Sequence, residues 1–288
     1  MNTIVRQKIS VNGVGLSYLE AGAENERMIL FLHGFPESSA SWTSYLEYFS
    51  KADYHVLAPD QRGYNDSESP SRISDYKLDS LTADMVAFIN HFPKKEVYVV
   101  AHDWGGIVAW ALAAFHPQLF SKMIILNAPH WLCFKKSLFS SAQFFKSWYI
   151  LIFRIKPLAE KLLALSDYAF FIDSLKKSSR YKLSDELLAS YKRFWPSKMT
   201  SMLNWYRALD PFDNSGSTIK IKTPILFLLG EKDPFIDLAT AKKSAEYCEN
   251  CDVEVIPGVA HFIQHEARPK LISLIEDQFQ TDKKSQLR

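Results

Sequence analysis

Cysteine is scarce in this chain: three in 288 residues, an odd number. So small a count argues against a disulfide scaffold and for a reduced, cytosolic setting. Cys248 and Cys251 form a C-x-x-C pair. No second pair follows, which argues against a zinc site, and the pair does not open a helix after a strand as a redox motif does. It reads as two thiols in a helix-to-strand loop. Long apolar runs are missing too. The longest, Trp148 to Phe153, is far short of the ~20 residues that cross a bilayer. The opening residues, Met1 to Lys8, lack the apolar stretch of a signal peptide. Charge of one sign is also absent: 34 Lys and Arg face 32 Asp and Glu, too even a balance for a nucleic-acid binder. Nothing calls for a cofactor or a metal. What is abundant is aromatic side chains, crowded between Trp131 and Phe171.

The first part of the chain alternates strand and helix signals, which implies a largely parallel sheet covered on both faces. Ile4 to Ser10 and Val14 to Glu20 flank Asn12-Gly13 and read as a hairpin. Met28 to His33, Tyr54 to Ala58, Val97 to Ala101 and Met123 to Leu126 are apolar runs of buried-strand type. Leu78 to Phe92 and Ile107 to Phe115 read as helices, the second ending near Pro117. From Trp131 to about Asp210 the pattern changes to aromatic, basic and helical. An interval of roughly 80 residues is too long for a loop and reads as a helical insertion. Strand signals resume at Pro224 to Leu229 and Val253 to Ile256. An amphipathic helix from about Pro269 to Phe279 closes the chain, and the polar tail 281–288 is expected to fray.

Four segments follow strand ends, where open α/β sheets place their ligands. In the first, Val99-Val100-Ala101-His102-Asp103-Trp104-Gly105-Gly106, Asp103 sits between a β-branched strand and a small-residue helix. That is the sharp turn on which reactive side chains are presented. A carboxylate there is already an anion and suits displacement at saturated carbon, at an epoxide or a carbon–halogen bond. The competing reading of Asp103 is a helix N-cap. The second segment, His33-Gly34-Phe35-Pro36-Glu37, can supply the Phe35 N–H to an oxyanion hole, with the Trp104 N–H as second donor. Phe35-Pro36 is a candidate cis peptide. His33 and His102 read as structural. The third, Gly230-Glu231-Lys232-Asp233-Pro234, offers an acid to orient a histidine. Asp233 is preferred to Glu231, which precedes the turn. The fourth carries His261, a general base in a loop, and His265, structural on a helical turn. The order is nucleophile, acid, histidine.

Together these segments resemble the α/β-hydrolase superfamily, and within it the epoxide hydrolases, over nearly the whole chain. The runs H-G-F-P-E and H-D-W-G-G carry the resemblance. Asp60-Gln61-Arg62-Gly63-Tyr64-Asn65-Asp66-Ser67 matches the family's D-x-R-G-x-G-x-S loop except at Asn65, where glycine is usual. Asparagine is the next-best residue for a left-handed backbone. Ala101 likewise stands for a more usual glycine. The resemblance implies an α/β-hydrolase fold: core residues 1–128 and 214–288, with a helical cap, residues 129–213, inserted between them. It also implies a small apolar epoxide as substrate, with water.

In that family two cap tyrosines donate hydrogen bonds to the ring oxygen. Leu203-Asn204-Trp205-Tyr206-Arg207 matches the N-W-Y-R signature and implies Tyr206 as one of them. Ser147-Trp148-Tyr149-Ile150 resembles the site of the other and implies Tyr149. The competing reading of both is an aromatic on a packed helix face. The expected course is attack by Asp103, an alkyl ester, and its hydrolysis by water activated at His261. Haloacetate and haloalkane dehalogenases use the same nucleophile. The first usually have a histidine beside the first cap tryptophan and an arginine after the nucleophile, where this chain has Tyr149 and Trp104. A non-catalytic receptor on the same fold is the alternative of another class. Lys135, Lys136, Lys146, Arg154 and Lys156 interleave with cap aromatics, which allows an interfacial face beside the simpler reading of a solvated basic surface. Oligomeric state is not legible.

Overall fold

The computed structural model describes residues 3–92, 94, 96–137, 149–179, 183–210 and 219–285. Eight strands form one sheet: β1 Val5–Val11, β2 Val14–Ala21, β3 Arg27–Leu32, β4 Tyr54–Pro59, β5 Glu96–His102, β6 Lys122–Leu126, β7 Ile225–Gly230 and β8 Cys251–Ile256. Their order is β1-β2-β4-β3-β5-β6-β7-β8. β2 runs antiparallel to both of its neighbours, β1 and β4; β4, β3, β5, β6, β7 and β8 are mutually parallel. Asn12 and Gly13 close the β1–β2 hairpin with φ of 49° and 74°, the pair of positive values a two-residue turn of this hand needs.

The parallel strands read as continuous apolar runs because both faces are covered. Alternate residues go to opposite sides. Met28, Leu30 and Leu32 join the core under the helices Leu78–Asn90 and Trp104–Phe115. Ile29 and Phe31 join the core under Thr43–Phe49 and the C-terminal helix. That last helix spans Arg268–Ser285, so it continues past Phe279 into the segment expected to fray. The polar residues there still have helical propensity, and the preceding turns, anchored by Leu271, Ile275 and Phe279, nucleate their continuation.

Between β6 and β7 the described residues hold helices and no strand: Trp131–Ser137, residues 149–153, Leu158–Ser178 and Asp185–Arg207. Leu158–Ser178 is two helical stretches joined by a kink at Leu165–Tyr168. Trp148 and Lys146, read from sequence, lie outside the described residues, as does the expected boundary at 213/214.

Candidate active site

β5 and the helix Trp104–Phe115 meet at Asp103, whose φ of 50° and ψ of −121° belong to neither element. A non-glycine residue held there costs about 1–3 kcal/mol. The side chain makes no hydrogen bond to the helix it precedes, so it does not cap it. Small neighbours make the turn possible. A Cβ on Gly105 would lie 2.6 Å from the Leu32 and His33 carbonyl oxygens, and one on Gly34 would lie 2.4 Å from Asp103 Cβ. Gly34→Ala should therefore displace the carboxylate or the loop facing it. Displacements near 1 Å cost on the order of a hundredfold in turnover. The expected result is that loss with an unchanged circular dichroism spectrum.

The Phe35 N–H donates to Asp103 Oδ1 at 2.8 Å, across the cis Phe35-Pro36 turn. Among the described residues no hydrogen bond runs from the Trp104 N–H to this carboxylate. Asp103 Oδ2 lies 3.8 Å from His261 Nε2. His261 Nδ1 donates to Asp233 Oδ2 at 2.9 Å. Asp233 is fixed by the Phe235 and Ile236 N–H groups on its other oxygen, at 2.7 and 3.0 Å. Glu231 is exposed and accepts from the Gly258 N–H at 2.8 Å. The acid facing His261 is Asp233. Burial opposes the imidazolium at His261, but Asp233, then Asp103 and Glu37, outweigh it and raise the ring above its ordinary value. His261 is thus hydrogen-bonded to Asp233 on one side and faces Asp103, beyond hydrogen-bond distance, on the other.

Tyr149 and Tyr206 come from different helices and meet over this carboxylate, their ring centroids 6.4 Å apart. With Asp103, His261 and Phe35 they line a cavity of about 440 Å³ whose other walls are mainly Phe and Leu. Burial, then the Asp103 anion, holds both phenols protonated well above the ordinary range. Protonated phenols are donors, which is what an oxygen leaving group needs. Trp104 packs edge-on to Tyr206 at 5.0 Å.

The N-W-Y-R run explains itself residue by residue. The Trp205 indole donates to Arg62 O at 3.0 Å and docks its helix on the loop after β4. Tyr206 then faces the cavity. Arg207 donates to Asn204 Oδ1, to Phe153 O at 3.0 Å and to both Glu160 oxygens at 2.8 and 2.9 Å. It ties three helical segments together. Arg207→Leu should leave Glu160 with the Thr200 hydroxyl but no charged partner and destabilise by about 1–3 kcal/mol. A lowered thermal midpoint checks this. Asn65 has the expected left-handed backbone, with φ of 39°, and donates to Asp60 at 2.9 Å.

His33 is structural as expected: its Nε2 accepts from the Gln61 N–H at 3.1 Å. Two residues to which sequence reading gave no role, Asn127 and Glu37, hold the histidine loop together with His102. Asn127, just after β6, donates to the Ala260 and His261 carbonyls at 3.0 and 2.5 Å and accepts from the Gly230 N–H at 2.8 Å. It joins the acid loop to the base loop. Buried Glu37 accepts from His265, Tyr191 and Gln264 at 2.6, 3.0 and 2.8 Å. Burial pushes its carboxyl up, but His265 and His102 hold it well below the usual range. His102 Nε2 in turn donates to His261 O at 2.9 Å. Asn127 follows a strand end, like the four segments that were read, and that position was its one available signal.

The sheet order and the turn at Asp103 define an α/β-hydrolase. The model of the α/β-hydrolase fold family matches residues 27–268. An AB hydrolase superfamily protein, YfhM, of Bacillus subtilis is 34% identical over 95% of this chain and 96% of its own length. Epoxide hydrolase 2 of Caenorhabditis elegans is 32% identical over 95% of this chain and 79% of its own. Among solved structures, the Bacillus megaterium epoxide hydrolase in complex with an inhibitor superposes with a TM-score of 0.85 at 28% identity, covering 96% of this chain and all of that one. The chain belongs to the epoxide hydrolase family of the α/β-hydrolase superfamily.

Proposed function

We propose that the protein opens a small apolar epoxide to a vicinal diol through an alkyl ester of Asp103. The observation that carries this reading is the convergence of one carboxylate, one histidine and two protonated phenols on a single apolar cavity. Asp103 Oδ2 attacks an epoxide carbon. The C–O bond of the ring breaks, and Tyr149 or Tyr206 gives its proton to the oxygen. His261, oriented by Asp233, then takes a proton from water, which attacks the ester carbonyl carbon. The oxyanion forms on Oδ1, where the Phe35 N–H already donates, and collapse releases the diol. The water oxygen stays on Asp103, and the proton on His261 restores the phenol through solvent. The helices from Trp131 to Arg207 serve as a cap that brings the phenols over the nucleophile.

Alkylation removes the Asp103 negative charge, one of the causes that raise His261. The ring then loses its proton more readily when it must act as base. Ester hydrolysis should therefore rise with pH through a lower midpoint than the imidazole shows in the free enzyme. Comparing an NMR titration of free His261 with the pH profile of single-turnover ester hydrolysis checks the sign. The function itself is tested with terminal, aryl and fatty-acid epoxides alongside fluoro- and chloroacetate. Diol from an epoxide supports the proposal. Halide release without any epoxide turnover overturns it.

A further inference from the structure

Eleven large apolar side chains are exposed among the described residues, and six of them lie in the cap: Leu151, Ile155, Leu158, Leu162, Leu165 and Phe170. The other five are scattered over the core. Leu151 lies on the helical turn before the cis Lys156-Pro157 bond, Ile155 in the turn itself, Leu158 and Leu162 on one face of the next helix, and Leu165 at its kink. On the stretch that begins at Leu158, Ala159 and Leu163 are buried against the core while Leu158 and Leu162 face out. The helix thus has two apolar stripes where packing uses one. Phe170 is 69 % exposed, and both it and Leu162 also line the active-site cavity. The exposed apolar face is continuous with the cavity mouth.

Charge says what covers this face. The three acids of the segment are each paired: Glu160 with Arg207, Asp167 with Lys192 and Asp173 with Lys177. Arg154, Lys156, Lys161 and Lys176 have no carboxylate partner among the described residues and are exposed. Four uncompensated cations beside an apolar stripe match an anionic lipid surface, with aliphatic side chains among the acyl chains and cations at the headgroups. A second copy of the chain would bring the same four cations face to face, which disfavours self-association. No described helix is long and apolar enough to cross a membrane, so the contact is peripheral. We infer that the cap docks on an anionic bilayer through Leu151–Phe170 and opens its cavity to apolar substrate dissolved there. The delivery of an epoxide rests on the proposed function; the docking does not.

The test is flotation of the full chain with vesicles of phosphatidylcholine alone or with about one third phosphatidylglycerol. Co-flotation with the anionic vesicles is expected, and at least tenfold weaker association with the neutral ones. Lys156→Gln/Lys161→Gln should weaken binding on the order of thirtyfold. Leu158→Gln/Leu165→Gln should abolish it, and both variants should keep wild-type turnover of a water-soluble epoxide. No association with anionic vesicles overturns the inference, as does association that both variants retain. A dimer in sedimentation equilibrium that Leu158→Gln/Leu165→Gln dissolves also overturns it, since the stripe then serves a second copy. Flotation needs no turnover, so failure of the epoxide reading and failure of docking are told apart.

Discussion

His261→Gln, mixed with excess aryl epoxide, is expected to gain the mass of the epoxide on the Asp103 peptide and to stop there. The first half-reaction asks nothing of His261: the Asp103 carboxylate is the nucleophile and the phenols supply the acid. The second half asks for a base within reach of a water beside the ester, and the imidazole lies 3.8 Å from Asp103 Oδ2. Glutamine keeps a donor toward Asp233 and much of the volume, so the loop that Asn127 holds by its carbonyls should stay in place. Removing a general base costs about 10²–10⁴ in rate, which turns a transient ester into a stable one. Mass spectrometry of the digested protein reads the adduct directly. Full multiple turnover by the variant would refute the base assignment. An unmodified Asp103 with no turnover would refute the order of the two steps.

Tyr206→Phe combined with Tyr149→Phe carries the second large effect. An alkoxide is a poor leaving group, and among the described residues that line the cavity Tyr149 and Tyr206 are the two phenols able to donate to it. Each phenol is worth about 10²–10³ if it donates only as the ring opens. Single variants should therefore lose about that much in alkylation, each covering part of the other's role. The double variant should form no detectable ester. Hydrolysis of a pre-formed ester should be nearly unaffected, because His261, Asp233 and the Phe35 N–H are untouched. Rapid-quench kinetics separate the two rates. Retained epoxide turnover in the double variant would move the ring-opening role elsewhere.

The two kinds of residue in this reading differ in how they could be found. Asp103 stands directly after β5, and Asp233 and His261 in the short loops that follow β7 and β8, where glycine, proline and a polar residue break an apolar run. A strand-to-helix turn is a local event with a local composition, so nine or ten residues suffice to see it. Phe35 follows from the same logic, because the loop after β3 must approach Asp103. The hairpin, the parallel core and the helical character of the interval before β7 are equally local, being matters of period and length.

Asn127, Glu37 and the cap are different. Nothing near Asn127 says that its amide will meet the carbonyls of Ala260 and His261, more than 130 residues away. That contact exists because β6, β7 and β8 lie side by side in the sheet and their following loops meet at one end. Glu37 becomes a shared acceptor for His265, Tyr191 and Gln264 only after three separate segments are packed together. Tyr149 and Tyr206 look like any aromatic on a helix until two helices turn them to one cavity. The fold leaves the apolar side chains from Leu151 to Phe170 uncovered, which no local pattern announces. The sequence by itself determined the sheet, the elbow and the reactive groups at strand ends, since backbone geometry over a few residues dictates those. Tertiary structure alone decided which polar groups hold the base, where the phenols point and which apolar face remains open, since those depend on the relative placement of segments far apart in the chain.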